Sequence, residues 1–90
     1  MKTIDLGNGA ECRIDDDGTK YWYLNGKYHR TDGPVIELAN GSKSWCLNDK
    51  HHRTDGPAIE DADGTKSWFL NDIEYSEEDF EMVKEMLWAV

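Results

Sequence analysis

Two six-residue blocks carry the side chains best suited to chemistry: His29-Arg30-Thr31-Asp32-Gly33-Pro34 and His52-Arg53-Thr54-Asp55-Gly56-Pro57. A histidine, a carboxylate and an arginine this close are the residue types of an acid–base site, and an enzyme using His52 and Asp55 is one reading of them. The block occurs twice, however, with His52 standing 23 positions after His29. Active sites tend to break a structural pattern, not follow it. A fold element is therefore the favoured reading, with Arg and Asp satisfying turn carbonyls and amides and Gly-Pro setting a bend. His51 and His52 are adjacent, so on a strand they point to opposite faces and do not share one ion. No Cys-x-x-Cys or His-x-x-x-His spacing adds a metal site. A phosphate-cradling glycine loop, a Gly-x-Ser-x-Gly elbow and an activated-cysteine context are also lacking. The expectation is a non-enzymatic chain with no metal and no cofactor.

The elements that would position these blocks repeat with them. Trp22, Trp45 and Trp68 keep the same step, as do Lys20, Lys43 and Lys66, Leu24, Leu47 and Leu70, Asn25, Asn48 and Asn71, and Gly18, Gly41 and Gly64. Such a period marks a repeat architecture whose units bury their apolar faces against each other. Within a unit, Lys20 to Leu24 alternates as a strand with Trp22 and Leu24 on one side and Tyr21 and Tyr23 on the other. Asn25-Gly26 is the dipeptide most favoured in a two-residue hairpin. Lys27-Tyr28-His29 returns, Arg30 to Pro34 bends, Val35 to Leu38 is the next strand, and Asn40-Gly41 the next turn. Lys43 to Leu47 is then the second aromatic strand. The fold expected is mainly β, a single antiparallel meander of repeated hairpins with a C-terminal capping α-helix, all in one domain. Residues 1–17 read as a degenerate first unit, 18–75 as regular hairpins and 76–90 as the helix. The Trp and Leu residues are expected to form a buried ladder.

The helix is announced where a third His-Arg-Thr-Asp-Gly-Pro block would begin. Tyr75-Ser76-Glu77-Glu78-Asp79-Phe80 stands there instead, with Ser76 and Asp79 placed as a capping box and acids suited to the positive end of the dipole. Phe80, Val83, Leu87 and Val90 fall at helical spacing, with Met82 and Met86 expected to widen the stripe, and Glu81, Lys84, Glu85 and Trp88 on the other side.

Ninety residues, 38% of them hydrophobic, suffice for one domain with a modest core, and exclude a disordered tail. No segment approaches the ~20 apolar residues of a membrane span. The N-terminus lacks the apolar run of a signal peptide. Cytoplasmic location is the expectation (the host cytoplasm for a phage-encoded chain). Cys12 shares a repeat slot with Val35 and Ala58, and Cys46 with Tyr23 and Phe69, so both read as free, buried filler. The net charge of −9 is uneven: residues 60–90 hold ten acids against Lys66 and Lys84, while residues 1–59 hold nine acids and eight bases. That balance opposes contact with nucleic acid or an anionic membrane and favours a basic protein partner.

Trp22-Tyr23-Leu24-Asn25-Gly26-Lys27 and the paired His-Arg-Thr-Asp-Gly-Pro blocks resemble MORN-type repeats, which are 23-residue β-hairpin units. The chain is similar, over about residues 11–80, to a set of small phage and bacterial proteins built from W-x-L-N-G…H-R-x-D-G-P-A units. It departs from ordinary MORN units in having His-Arg-Thr-Asp where those carry a glycine-rich pattern. The resemblance implies a non-enzymatic binding role, and antitoxin-type neutralisation of a partner. The leading expectation is thus an inhibitor of a basic or nucleic-acid-binding protein, such as a nuclease or a CRISPR-type effector, acting through nucleic-acid mimicry. The contact residues expected are Glu60, Asp61, Asp63, Asp72, Glu74, Glu77, Glu78, Glu81 and Glu85, with Tyr21, Tyr23, Phe69 and Trp88 as aromatic anchors. A glycan- or peptide-binding aromatic face is the alternative. Exposed edge strands leave self-association open.

Overall fold

The computed structural model describes residues 1–88, and the side chains of residues 1–86. The chain is mainly β, an antiparallel meander closed by one C-terminal helix. Strands β1 (Lys2–Gly7) and β2 (Ala10–Ile14) form a hairpin through Asn8 and Gly9, both at positive φ. Then come β3 (Lys20–Leu24), β4 (Lys27–Tyr28), β5 (Ile36–Glu37), β6 (Lys43–Ser44), β7 (Cys46–Leu47) and β8 (Lys50–His51). β9 (Ile59–Glu60), β10 (Lys66–Leu70) and β11 (Ile73–Tyr75) complete the sheet, and α1 (Glu77–Trp88) follows. The main sheet runs β1-β2-β3-β5-β6-β9-β10-β11, with β4 beside β3, while β7 and β8 pair separately.

The expected single meander is thus forked. Its fork lies at Trp22 and at Trp45. The Trp22 amide donates to Val35 O at 2.8 Å, and its carbonyl accepts from His29 N at 3.4 Å. Trp45 does the same with Ala58 O (2.7 Å) and His52 N (3.1 Å). Before the tryptophan the strand therefore pairs with a later strand, and after it with its own hairpin partner. The change of partner breaks Lys43–Leu47 into β6 and β7 at Trp45.

The turns stitch neighbouring hairpins together. Asn25-Gly26, Asn48-Asp49 and Asn71-Asp72 all have positive φ, the backbone of a two-residue hairpin loop. In the later two turns aspartate replaces glycine, and its carboxylate has a partner. Asp49 Oδ1 accepts from Tyr28 N and Asp72 Oδ1 from His51 N, each at 2.6 Å, while their own amides donate to Tyr28 O and His51 O at 2.9 Å. At the opposite edge, Asp17, Asn40 and Asp63 each accept from the amide two residues on, at 2.9 Å. Ser42 Oγ in turn accepts from Ala62 N of the next turn at 2.9 Å. These local acceptors satisfy backbone groups that a two-residue strand leaves open.

The core is thin, and it is not built from the indoles. Cys12, Val35 and Ala58, the three occupants of one repeat slot, are buried, as are Cys46, Leu70 and Phe80. Trp22, Trp45 and Trp68 are only half-buried, which corrects the expected tryptophan core. The molecule is thin, 40 × 32 × 16 Å in its principal extents, which leaves little depth in which to enclose a large ring. Both cysteines are free and buried.

Ser76 Oγ accepts from Asp79 N at 3.1 Å, the N-cap that starts α1. The helix packs on β10 and β11 with Phe80 wholly buried. Met82 and Met86 are exposed, 56% and 60%, and do not widen the apolar stripe. Lys84, expected on the outer side, is half-buried with Nζ 5.5 Å from the Phe80 ring centroid. The narrow ledge of β10 and β11 accepts only the Phe80 side of the helix. Leu87, Trp88 and Val90, placed on the stripe and its reverse by their spacing, lie outside the described side chains.

Candidate functional site

The duplicated block folds as a support for tryptophan. The Arg30 guanidinium lies 3.8 Å from the centroid of the Trp22 ring, and Arg53 lies at the same distance over Trp45. Arg30 Nε donates to Asp32 Oδ1 (3.0 Å), and its Nη1 to Pro34 O (3.0 Å) and Glu37 Oε2 (3.1 Å). Arg53 repeats this with Asp55 (2.8 Å), Pro57 O (3.0 Å) and Glu60 (2.7 Å). Planar fork geometry and ring stacking suit arginine and not lysine. Gly33 and Gly56 leave the space for it, since a Cβ at either would fall 2.8 or 2.9 Å from the guanidinium carbon.

The histidines are equally committed. His29 Nδ1 accepts from Asn48 N at 3.2 Å and His52 Nδ1 from Asn71 N at 3.0 Å, so each braces the next unit's hairpin turn. Accepting at Nδ1 requires the neutral ring carrying its proton on Nε2. Burial pushes the His52 pKa down, in the same direction. The hydrogen bond from Arg53 holds the Asp55 carboxyl below its usual value, with Lys84 adding to the effect. Every group of the His-Arg-Thr-Asp blocks that could titrate thus has a structural partner.

Cys46 Sγ lies 3.5 Å from His51 Nδ1, a pair with the outline of a nucleophile and its base. Burial pushes that thiol up to about 11, away from the thiolate that nucleophilic attack requires. The pair behaves as packing. Among the described residues, no three His, Cys, Asp or Glu side chains gather as metal ligands would.

Between the supports run two clefts. The larger, about 680 Å³, has Trp45 and Leu47 in its lining, with His52, Arg53, Thr54 and Asp55 on one side and Arg30 to Gly33 on the other. The second, about 590 Å³, is lined by Trp22, Leu24, His29, Arg30, Thr31 and Asp32, together with Leu6 and Ala10 of the first hairpin. Each of those six residues stands 23 positions before its counterpart in the larger cleft. The same pocket is therefore made twice.

The expected acidic contact residues divide into two groups. Glu60 is tied to Arg53, Asp63 to the Thr65 amide, Asp72 to the His51 amide and Glu81 to Lys84 at 2.8 Å. Their carboxylates hold the fold. Asp61, Glu74, Glu77, Glu78 and Glu85 are exposed, on the last unit and the helix at one end of the strand order.

The aromatic candidates are half-buried. Tyr23 stacks on Tyr28 at 4.8 Å with Arg13 4.6 Å from its centroid, and Phe69 leans on His51 at 5.3 Å. The hydrogen bond to Tyr23 raises the Tyr28 pKa to about 12. Burial raises that of Tyr21. The side chain of Trp88 lies outside the described residues.

Sequence reasoning missed the Arg–Trp supports and the clefts between them. The signal was present: the third unit has Ser76 where arginine stands at 30 and 53, and there the pattern gives way to helix. No helix of the described residues is long and apolar enough to cross a membrane. No family model matches the chain, and no curated protein or solved structure matches it.

Proposed function

We propose that this chain is a non-catalytic, MORN-like hairpin-repeat protein that binds and blocks a basic protein partner, as phage or bacterial inhibitors and antitoxin-type proteins do. The observation that carries the reading is the set of exposed carboxylates on one end, Asp61, Glu74, Glu77, Glu78 and Glu85, left over after the structural acids are paired. Uncommitted like charges at one end raise the encounter rate with a cationic surface and suppress wrong partners. A nuclease or CRISPR-type effector presents such a surface to nucleic acid, and the acidic end would stand in for the phosphate backbone there. The host cytoplasm is where such a partner would be met. The structural commitment of His29, Arg30, Asp32, His52, Arg53 and Asp55 supports a binding role over an enzymatic one.

Affinity capture from host lysate tests the reading. Glu77→Gln, Glu78→Gln and Glu85→Gln combined leave the helix cap intact. They are expected to lose the captured partner, and the native chain to release it as salt rises. Capture unchanged by the triple variant would refute the reading.

The two recurring clefts favour a second reading, a peptide- or glycan-binding aromatic face. Shifts in the indole signals of Trp22 and Trp45 on adding ligand would mark it.

A further inference from the structure

The first strand ends the sheet, and its outer side has no partner among the described residues. All six residues of β1 are exposed. Which of its backbone groups point outward follows from the neighbouring ladder. Trp22 N donates to Val35 O and Trp22 O accepts from His29 N, so both groups face away from Cys12, the partner of Trp22 on β2. Bonded and non-bonded pairs alternate between antiparallel strands, so Cys12 directs its own N–H and C=O to Ile4 on β1. The bonds from Asn25 N to Gly9 O and from Asp15 N to Thr19 O keep the same alternation. Lys2 and Ile4 therefore hold the hairpin, while Thr3 and Asp5 each turn an N–H and a C=O to solvent. Open donors and acceptors in a row are a template for another strand. The regular part of β1 runs from Lys2 to Asp5, contains no proline, and stops where the register slips between Asp5 and Gly7.

Charge says which strand can come. Residues 1–14 hold two acids and two bases, whereas residues 60–90 hold ten acids and two bases. At the far end of the sheet β11 has only three residues, Glu74 among them, and the helix after it opens on Glu77, Glu78 and Asp79. A basic partner is drawn to that end. Two copies of this chain repel each other least when β1 meets β1, because their acidic ends then lie at opposite extremes.

We propose that β1 pairs antiparallel with β1 of a second copy about a two-fold axis at Ile4, giving a reversible dimer with one continuous sheet. Such an axis sets one residue of the strand against itself. At Asp5 it would oppose two carboxylates, and like charges directly opposite are destabilising. At Thr3 it would set Asp5 against Met1, which lies outside the strand with its amine 3.1 Å from Asp16. At Ile4 the open groups meet: Thr3 N donates to Asp5 O of the second copy and Asp5 N to its Thr3 O, each bond repeated by symmetry. The Ile4 side chains, 37% exposed in the single chain, come together at the axis, and Lys2 stands opposite Leu6. This contact is far smaller than the ~1,200 Å² of the smaller stable complexes, so it forms at high concentration and comes apart on dilution. It needs neither binding role proposed above, and it would present two acidic ends where the single chain has one.

Sedimentation of the full chain from about 10 µM to about 1 mM tests the pairing, a range suited to so small an interface. Mass is expected to rise toward twice that of one chain and no further. Thr3→Pro removes an outward N–H and leaves the bonds to β2 in place. That variant is expected to remain a monomer with an unchanged urea midpoint. Ile4→Lys sets two ammonium groups face to face and is expected to remain a monomer too, whereas Ile4→Val should dimerise like the native chain. This second pair decides where Thr3→Pro disturbs the hairpin. Hydrogen exchange locates the contact: the Thr3 and Asp5 amides should exchange more slowly as concentration rises, and the Ile4 amide, already bonded to β2, should not change. A monomer at about 1 mM overturns the proposal, since even a millimolar affinity would show there. So does a dimer that survives both Thr3→Pro and Ile4→Lys, or one that leaves Thr3 and Asp5 exchange unaltered. Mass growing past two chains would mean head-to-tail addition of β1 to β11, and overturns it as well.

Discussion

A β-carbon placed on Gly56 would lie 2.9 Å from Cζ of Arg53, so that glycine and the Trp45 indole together define the slot in which the guanidinium sits. Gly33 and Arg30 repeat the relationship at 2.8 Å. The Gly of the block is thus a clearance, not a turn residue requiring positive φ: neither Gly33 nor Gly56 has one.

Gly56→Ala must push Arg53 off its ring or bend the loop. The arginine is a flexible chain held by three acceptors and a ring, so the expected loss is about 1–2 kcal/mol, toward the low end for overpacking. Urea unfolding measures it. In an Arg53→Ala background the same substitution should cost almost nothing, because nothing remains in the slot. Additive effects in that cycle would refute the clearance.

Arg53→Lys keeps the charge and loses the plane. An ammonium cannot hold Asp55, Pro57 O and Glu60 together while lying flat on Trp45. A loss of about 1–2 kcal/mol is expected from the stacking and the forked hydrogen bonds combined. Equal stability of the lysine variant would show that charge alone was needed.

Asp72 pays for its left-handed backbone with a hydrogen bond. Asp72→Gly relieves the φ of 68° but removes the acceptor that His51 N reaches at 2.6 Å. A bond to a charged acceptor contributes about 1.5–3 kcal/mol, more than the strain an Asp bears at this position, so a net loss of about 1 kcal/mol is expected. Asp72→Asn keeps an acceptor and tolerates the backbone, and should change the melting temperature little.

Stability should fall on mild acidification. The folded His52 pKa lies below the unfolded value of about 6.5, so the unfolded chain binds its proton first. The contribution is complete above the unfolded value. It declines as pH falls toward the lower folded one, and then levels off. A second decline follows at lower pH, where Asp55, held down by Arg53, is finally protonated. His52→Asn retains an acceptor for the Asn71 amide and cannot titrate, so urea midpoints between about pH 7 and pH 5 should flatten. An unaltered slope in that variant would exclude His52 as the source.

The Cys46 thiol, at about 11, carries only about one part in a thousand thiolate at pH 8, and it is buried. Iodoacetamide should label it slowly in the native chain and fully in denaturant. Rapid native labelling would contradict the packing described.

Much of this arrangement is legible without coordinates because it is local. Asn-Gly and Asn-Asp pairs specify their turns, Ser76 specifies its cap, and slot-sharing with Val35 and Ala58 identifies Cys12 as core. What escapes is set by residues that meet only after the chain folds back. Trp22 and Arg30 stand eight positions apart, with a hairpin between them, and no periodicity of strand or helix relates them. The same holds for Glu60, whose carboxylate reads as surface charge until Arg53 is seen to hold it at 2.7 Å. The exposure of Met82 and Met86 likewise depends on how narrow a ledge β10 offers.

Because each turn clasps its predecessor through the same pair of bonds, Asp49 to Tyr28 and Asp72 to His51, the scaffold is indifferent to how many rungs it has. Duplicating residues 49–71 would insert a further rung and a further pocket of the same kind while leaving both ends untouched. Length, and with it valency, is a quantity this architecture can change by copying.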